Sequence, residues 1–190
     1  MNLIILIPLQ KPFLMKNVLL IVFLIGVCGC KSTASSFYFK ALKNPQTFTT
    51  SKCISNAQCR IEIIPDAKLL VQEDVFNNTY VEIEKGNRLI IKYQLKKNQL
   101  PQTADGHYTE ILYLEIGHSE TNIRLKDKEL QQVKMTFGRL CYCKGSSGYF
   151  KVDKGTLELI FDKNKMILNT VFTVKNIPQI ITQLHEEITF

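Results

Sequence analysis

Chemistry in this chain would have to come from three histidines, six cysteines, a few paired carboxylates and one serine–glycine loop. His107, His118 and His185 lie beside turns or in polar stretches. No two of them share a metal-ligand spacing, so they read as solvated loop histidines. Ser147, His107 and Asp153 can be written as nucleophile, base and orienting acid. Yet Gly145-Ser146-Ser147-Gly148 lacks the G-x-S-x-G elbow and its following helix, and reads as a hairpin loop. Glu82/Glu84 and Glu186/Glu187 read as solvated strand faces, since a glycosidase pair must face itself across a cleft. Structural zinc favours C-x₂₋₄-C pairs, whereas Cys53 and Cys59 are six apart and Cys141 and Cys143 two apart. The C-x-x-C spacing of redox pairs is absent. The expectation is therefore no catalytic residue, no metal and no cofactor. One surface remains a candidate for partner binding. Arg139, Lys144 and Lys151 surround Gly145, Ser146, Ser147 and Gly148, where glycines would let backbone amides face an anion.

The elements that must position these residues are strands, because period-two alternation dominates from Cys59 onward. Arg60 to Ile64 ends at Pro65-Asp66 and precedes Lys68 to Gln72. Thr79 to Glu84 puts Tyr80, Glu82 and Glu84 on one face and Val81 and Ile83 on the other. Lys85-Gly86-Asn87 carries a tight-turn signal and Arg88 to Leu95 follows, so 79–95 reads as a hairpin. Tyr108 to Ile116, Asn122 to Leu125, Val133 to Cys143 and Tyr149 to Val152 come next. Leu157 to Phe161 and Met166 to Val174 form a further hairpin. Residues 176–190 fit either a short helix from Pro178 through Leu184 or a last strand ending at Phe190. About eight to ten short strands with frequent turns predict an all-β fold, an antiparallel β-sandwich, with a closed calycin-like β-barrel as the alternative. Glu186, two residues before Ile188, interrupts the apolar face that a membrane-spanning barrel needs.

The net charge is +7, of which Lys11 and Lys16 contribute two within residues 1–29, leaving +5 for the rest. Basic and acidic residues alternate without a concentrated basic stripe, which argues against a nucleic-acid partner. The chain has no Trp, the best platform for stacking on sugars.

Residues 15–30 give the compartment. Lys16 precedes an apolar run from Val18 to Val27. At about ten residues the run is too short to cross a bilayer of roughly 30 Å, and it fits the core of a secretory signal. Val27-Cys28-Gly29-Cys30 resembles the lipobox of bacterial lipoproteins, with an aliphatic residue three before the cysteine and a small one directly before it. The resemblance implies that the Cys30 thiol receives a diacylglycerol, that cleavage occurs ahead of it, and that the new amine is acylated. One acyl chain binds membranes at only about 10⁴ M⁻¹, so stable anchoring uses more than one. Lys31, where an Asp would retain the protein at the inner membrane, implies the outer membrane of a two-membrane cell. This resemblance covers about sixteen residues and implies nothing about the mature fold. Residues 1–14 are apolar and broken by Pro8 and Pro12, so the start is either Met1 or Met15. An uncleaved helix from Phe13 to Val27 would put the same domain on the same membrane.

With Cys28 removed and Cys30 acylated, Cys53, Cys59, Cys141 and Cys143 remain, which in an exported domain reads as two disulfides. If Cys141-Tyr142-Cys143 is extended, its Cα atoms lie about 6.5–7 Å apart, at or beyond the limit for a bridge. Each is then expected to reach Cys53 or Cys59 and staple the domain across a long loop. The alternative is a small Cys53–Cys59 loop with a strained or reduced second pair. The organisation expected is a signal at 1–29, a lipidated cysteine and tether at 30–50, and one β domain at 51–190. The function expected is non-enzymatic: a membrane-anchored envelope protein that binds another envelope component or supports structure. The alternatives are a small-ligand carrier with a calycin-like cavity, or a hydrolase.

Overall fold

The computed structural model describes residues 42, 44–50, 52–99, 106–117, 120, 122–162 and 164–190. The segment read as a signal at 1–29, with Met15 and Cys28, then Cys30, most of the segment read as tether, and His118 lie outside the described residues. Period-two alternation becomes eleven antiparallel strands among the described residues. They are β1 (Gln46–Thr49), β2 (Ala57–Glu73), β3 (Thr79–Lys85), β4 (Arg88–Lys97), β5 (Tyr108–Gly117), β6 (Asn122–Lys126), β7 (Thr136–Cys141), β8 (Gly148–Lys151), β9 (Gly155–Asp162), β10 (Lys165–Phe172) and β11 (Gln183–Thr189). One sheet runs β1-β2-β4-β5-β7-β8, with β3 also paired to β2, and the other runs β11-β10-β9-β6. The two sheets are not closed into a barrel, so the fold is the sandwich and not the calycin-like alternative.

Inward side chains of both sheets form one core. Ile61, Ile63, Leu89, Ile91, Leu112, Leu114 and Phe137 of the larger sheet pack on Leu157, Leu159, Met166, Leu168 and Ile188 of the smaller. Each set follows the alternation of its strand, which is why burying one face excludes water from every second residue.

The expected hairpin at 79–95 is replaced by another connection. The chain turns at Asp74–Asn78, and β3 and β4 then run one after the other along β2: Ala67–Glu73 pairs with β3 and Ala57–Ala67 with β4. Lys85-Gly86-Asn87 is a break in this long arm, opposite a register shift between Ile64 and Ala67. Asp66 takes φ 50° there, and Gly86 N–H donates to Asp66 O at 2.8 Å. A Cβ on Gly86 would lie 2.8 Å from Ala67 O. Glycine at 86 thus answers a close approach of backbones and not a two-residue turn.

The break lets the arm cover the outer face of the larger sheet. Ala67 and Leu69 bury against Ile90, Ile111 and Tyr113, with Val71 and Val81 packed alongside. Both faces of Ile111–Ile116 are therefore buried, so Ile111 and Tyr113 are as enclosed as Leu112 and Leu114. The uncovered backbone edge of the arm is satisfied by side chains. Leu69 N–H donates to Glu115 Oε2 at 2.7 Å, and Lys134 Nζ donates to Leu69 O and to Glu115 Oε2, each at 2.9 Å.

Three further boundaries are set by the structure. The first strand lies at Gln46–Thr49, inside the segment read as tether, where it pairs with Arg60–Ile63. Of the two readings left open for residues 176–190, the strand is the one found: residues 183–189 form β11, which completes the ladder to β10 and buries Leu184 and Ile188. Asp127–Val133 is a 3₁₀ helix between β6 and β7, with Glu129 Oε2 accepting the Lys126 N–H at 3.0 Å.

Candidate functional site

The serine–glycine loop is held from within. Arg139 is buried, and its Nη1 donates to Ser146 O at 3.0 Å and to Ser146 Oγ at 2.5 Å. Its guanidinium lies 5.3 Å from the Tyr108 ring centre. Ser147 Oγ donates to Arg139 O and accepts the Cys141 N–H. Arg139 and Ser147 therefore shape the turn instead of facing an anion. Lys144, Gly145, Ser147 and Lys151 are exposed, and Ser146 and Gly148 half-buried. Gly145 takes φ 72°, the left-handed region that favours glycine. The Ser147–His107–Asp153 triple is not assembled, since the contact of His107 is Gln99 Nε2 at 3.0 Å.

The cysteines pair locally, against the first expectation. Cys53 is bonded to Cys59, and Cys141 to Cys143. The sheet order β2-β4-β5-β7 puts three strand spacings, about 14 Å, between Cys59 and β7, beyond the reach of a bridge. The C-x-C pair closes because β7 ends at Cys141 and the chain bends at Tyr142, drawing the two Cα atoms to 5.2 Å.

Next to Cys59 the two sheets leave a cleft of about 480 Å³. Its walls come from both sheets: Tyr93 and Leu95 of β4 on one side, Asn169 of β10 and Leu184, His185 and Glu186 of β11 on the other, with Ile181 alongside. Ile54 and Val171, both exposed apolar side chains, also line it. A second cleft of about 350 Å³, between β1 and β11, shares Lys52 and Glu186 with the first.

Glu186 is the distinctive residue of this site. It is 7% exposed, and among the described residues its side chain has no hydrogen bond or ion pair. Burial raises its pKa above the usual carboxylate range, and the charge of Lys52 opposes that rise. Lys52 is itself exposed and forms no ion pair among the described residues. Burial also raises the Tyr93 phenol; the Thr50 hydroxyl opposes that shift and the charge of Glu186 adds to it. Thr50 Oγ1 is buried without a hydrogen bond of good geometry, although it lies close enough to favour the ionised Tyr93.

The reading of Glu186/Glu187 as a solvated pair holds for Glu187, which is exposed and ion-paired with Lys165. It fails for Glu186. Alternation in β11 makes Leu184, Glu186 and Ile188 face inward together. That signal was legible in the spacing to Ile188, where Glu186 interrupts an apolar face. By contrast, Glu82 and Glu84 are exposed on β3 as expected, with Lys68 3.6 Å from Glu84.

His185 sits on the opposite face of β11 from Glu186, as neighbours on a strand must. It bonds through Nδ1 to Asn169, whose Nδ2 donates to Glu158 at 3.2 Å, and Glu158 pairs with Arg124 at 2.8 Å. The four residues occupy matching registers across β11, β10, β9 and β6. They form a polar ladder on the outer face of the smaller sheet. Arg124 and Asn169 hold the Glu158 carboxyl below its usual range. No cluster of His, Cys, Asp or Glu suited to a metal occurs among the described residues. No protein-family model, curated protein or solved structure matches this chain.

Proposed function

We propose that this chain is a lipid-anchored envelope lipoprotein whose β-sandwich acts by binding and not by catalysis. The supporting observation is Glu186, nine-tenths buried yet partnerless, at a cleft open between the sheets. A buried carboxylate without a donor costs free energy that a bound molecule can offset. The address rests on Val27-Cys28-Gly29-Cys30, and Lys31 after the anchor points to the outer membrane.

The test uses the full chain in cells fed an alkyne fatty acid. The wild type is expected to take up label and fractionate with membranes, and Cys30→Ser to do neither. Unlabelled, cytosolic wild type overturns the address. The labelled protein is then captured in mild detergent, and retained proteins and small molecules are identified by mass spectrometry. A retained molecule that Glu186→Gln releases supports the binding role; retention of nothing overturns it.

A further inference from the structure

We infer that the cleft beside Glu186 takes a small zwitterion with an apolar side chain, of the class of an apolar amino acid or a short apolar peptide. The inference rests on the binding role proposed above and goes further by naming the ligand's chemistry. Three observations carry it. First, Glu186, 7% exposed as a residue, turns to the cleft a carboxylate that has no donor from the protein among the described residues. The group it lacks is a hydrogen-bond donor, and a cationic amine supplies the strongest one. Second, Lys52 lines the same cleft and carries the opposite charge, close enough for its field to act on Glu186. The two nevertheless form no ion pair, so the cleft holds an anion and a cation that do not satisfy each other. A ligand carrying an amine and a carboxylate answers both, whereas a second positive charge would meet Lys52. Third, Leu95, Ile181 and Leu184 give part of the wall an apolar surface, beside the polar Asn169, Gln183 and His185. That surface gives an aliphatic body somewhere to leave water. The cleft volume of about 480 Å³ falls within the range of small-ligand sites.

The experiment measures binding of leucine and leucyl-leucine to the full lipidated chain in detergent micelles by isothermal calorimetry. Isoamylamine, which lacks the carboxylate, and 4-methylpentanoate, which lacks the amine, serve as controls. At least one zwitterion is expected to bind, with either control weaker by about tenfold or more. Glu186→Gln is expected to weaken zwitterion binding by about tenfold or more while remaining folded by thermal unfolding. Lys52→Met is expected to remove the preference for leucine over isoamylamine. Absence of binding by both zwitterions at millimolar concentration overturns the inference, as does isoamylamine binding as tightly as leucine, or unchanged binding by Glu186→Gln. The detergent capture separates the two claims. If it retains a different molecule that Glu186→Gln releases, the ligand class falls and the binding role stands. If it retains nothing and the zwitterions fail, both fall.

Discussion

Two buried glutamates illustrate opposite uses of the same side chain. Glu110 is fully buried and accepts from Ile180 N, Ile181 N and Tyr108 Oη, at 2.8, 2.7 and 2.5 Å. It ties the segment before β11 to the larger sheet. Glu110→Ala leaves these donors without an acceptor and is expected to cost about 3 kcal/mol or more. A urea titration checks this, read as a lowered midpoint at unchanged slope. Glu186 has no such partners, and burial raises its pKa while Lys52 opposes the rise. The folded state therefore holds the Glu186 proton more tightly than the unfolded chain does. Its contribution to stability is most favourable at low pH and is lost as pH rises from the ordinary value of 4.5 through the raised one. Glu186→Gln removes that loss. It is expected to stabilise the protein at pH 7, the gain shrinking as pH falls toward the ordinary carboxylate range. Thermal unfolding across this pH range decides it, and a variant less stable at pH 7 would show that Glu186 is held by the protein itself.

Among the elements, the long arm of β2, β3 and β4 is the least expected. Its break depends on close contact of Gly86 with Ala67 and Lys68, where an added Cβ would sit 2.6–2.9 Å from their atoms. Gly86→Ala must push the paired strands apart at this register shift, and overpacking of this kind costs about 1–3 kcal/mol. The displaced arm should loosen over Ile90, Ile111 and Tyr113, which it covers. Amide exchange at Leu69 and Val71 is expected to quicken more than at Leu157 or Leu159 in the other sheet. Equal acceleration in both sheets would mean that the arm has no separate stability. The turn signal at Lys85-Gly86-Asn87 was genuine in its demand for glycine. Its meaning changed because a close crossing of two backbones selects the same residue as a tight turn.

At the scale of the molecule, the disulfides decide how strongly the domain is cross-linked. A bridge from the start of the domain to β7 would close a loop of about eighty residues and contribute roughly 4 kcal/mol on the chain-entropy model. The observed bridges span separations of six and two residues. The same relation gives about 2.4 and about 1.6 kcal/mol. The fold is thus carried by the continuous core between the sheets, with the bridges as local clips. The Cys141→Ala/Cys143→Ala pair of substitutions is expected to lower stability by about 2 kcal/mol or less and to leave the Cys53–Cys59 bridge intact. Denaturant midpoints with peptide mapping measure both, and appearance of mixed pairings would refute a local arrangement.

Strand alternation by itself determined the all-β class, the β9–β10 hairpin and the division of side chains between inner and outer faces, because a period of two is written residue by residue. The spacing of Glu186 from Leu184 and Ile188 belongs with these, since it put the carboxylate on the inward face. The signal-like run before Cys30 equally needs no fold to be read. Only the tertiary structure decided which strands became neighbours, and with that which cysteines could meet and which turn signal became a crossing. It also decided that Glu110 found two donors from distant chain, the N–H groups of Ile180 and Ile181, while Glu186 found none. These are contacts between residues far apart in sequence, fixed by sheet order and by the competition of strands for the same edges, and no local pattern records them.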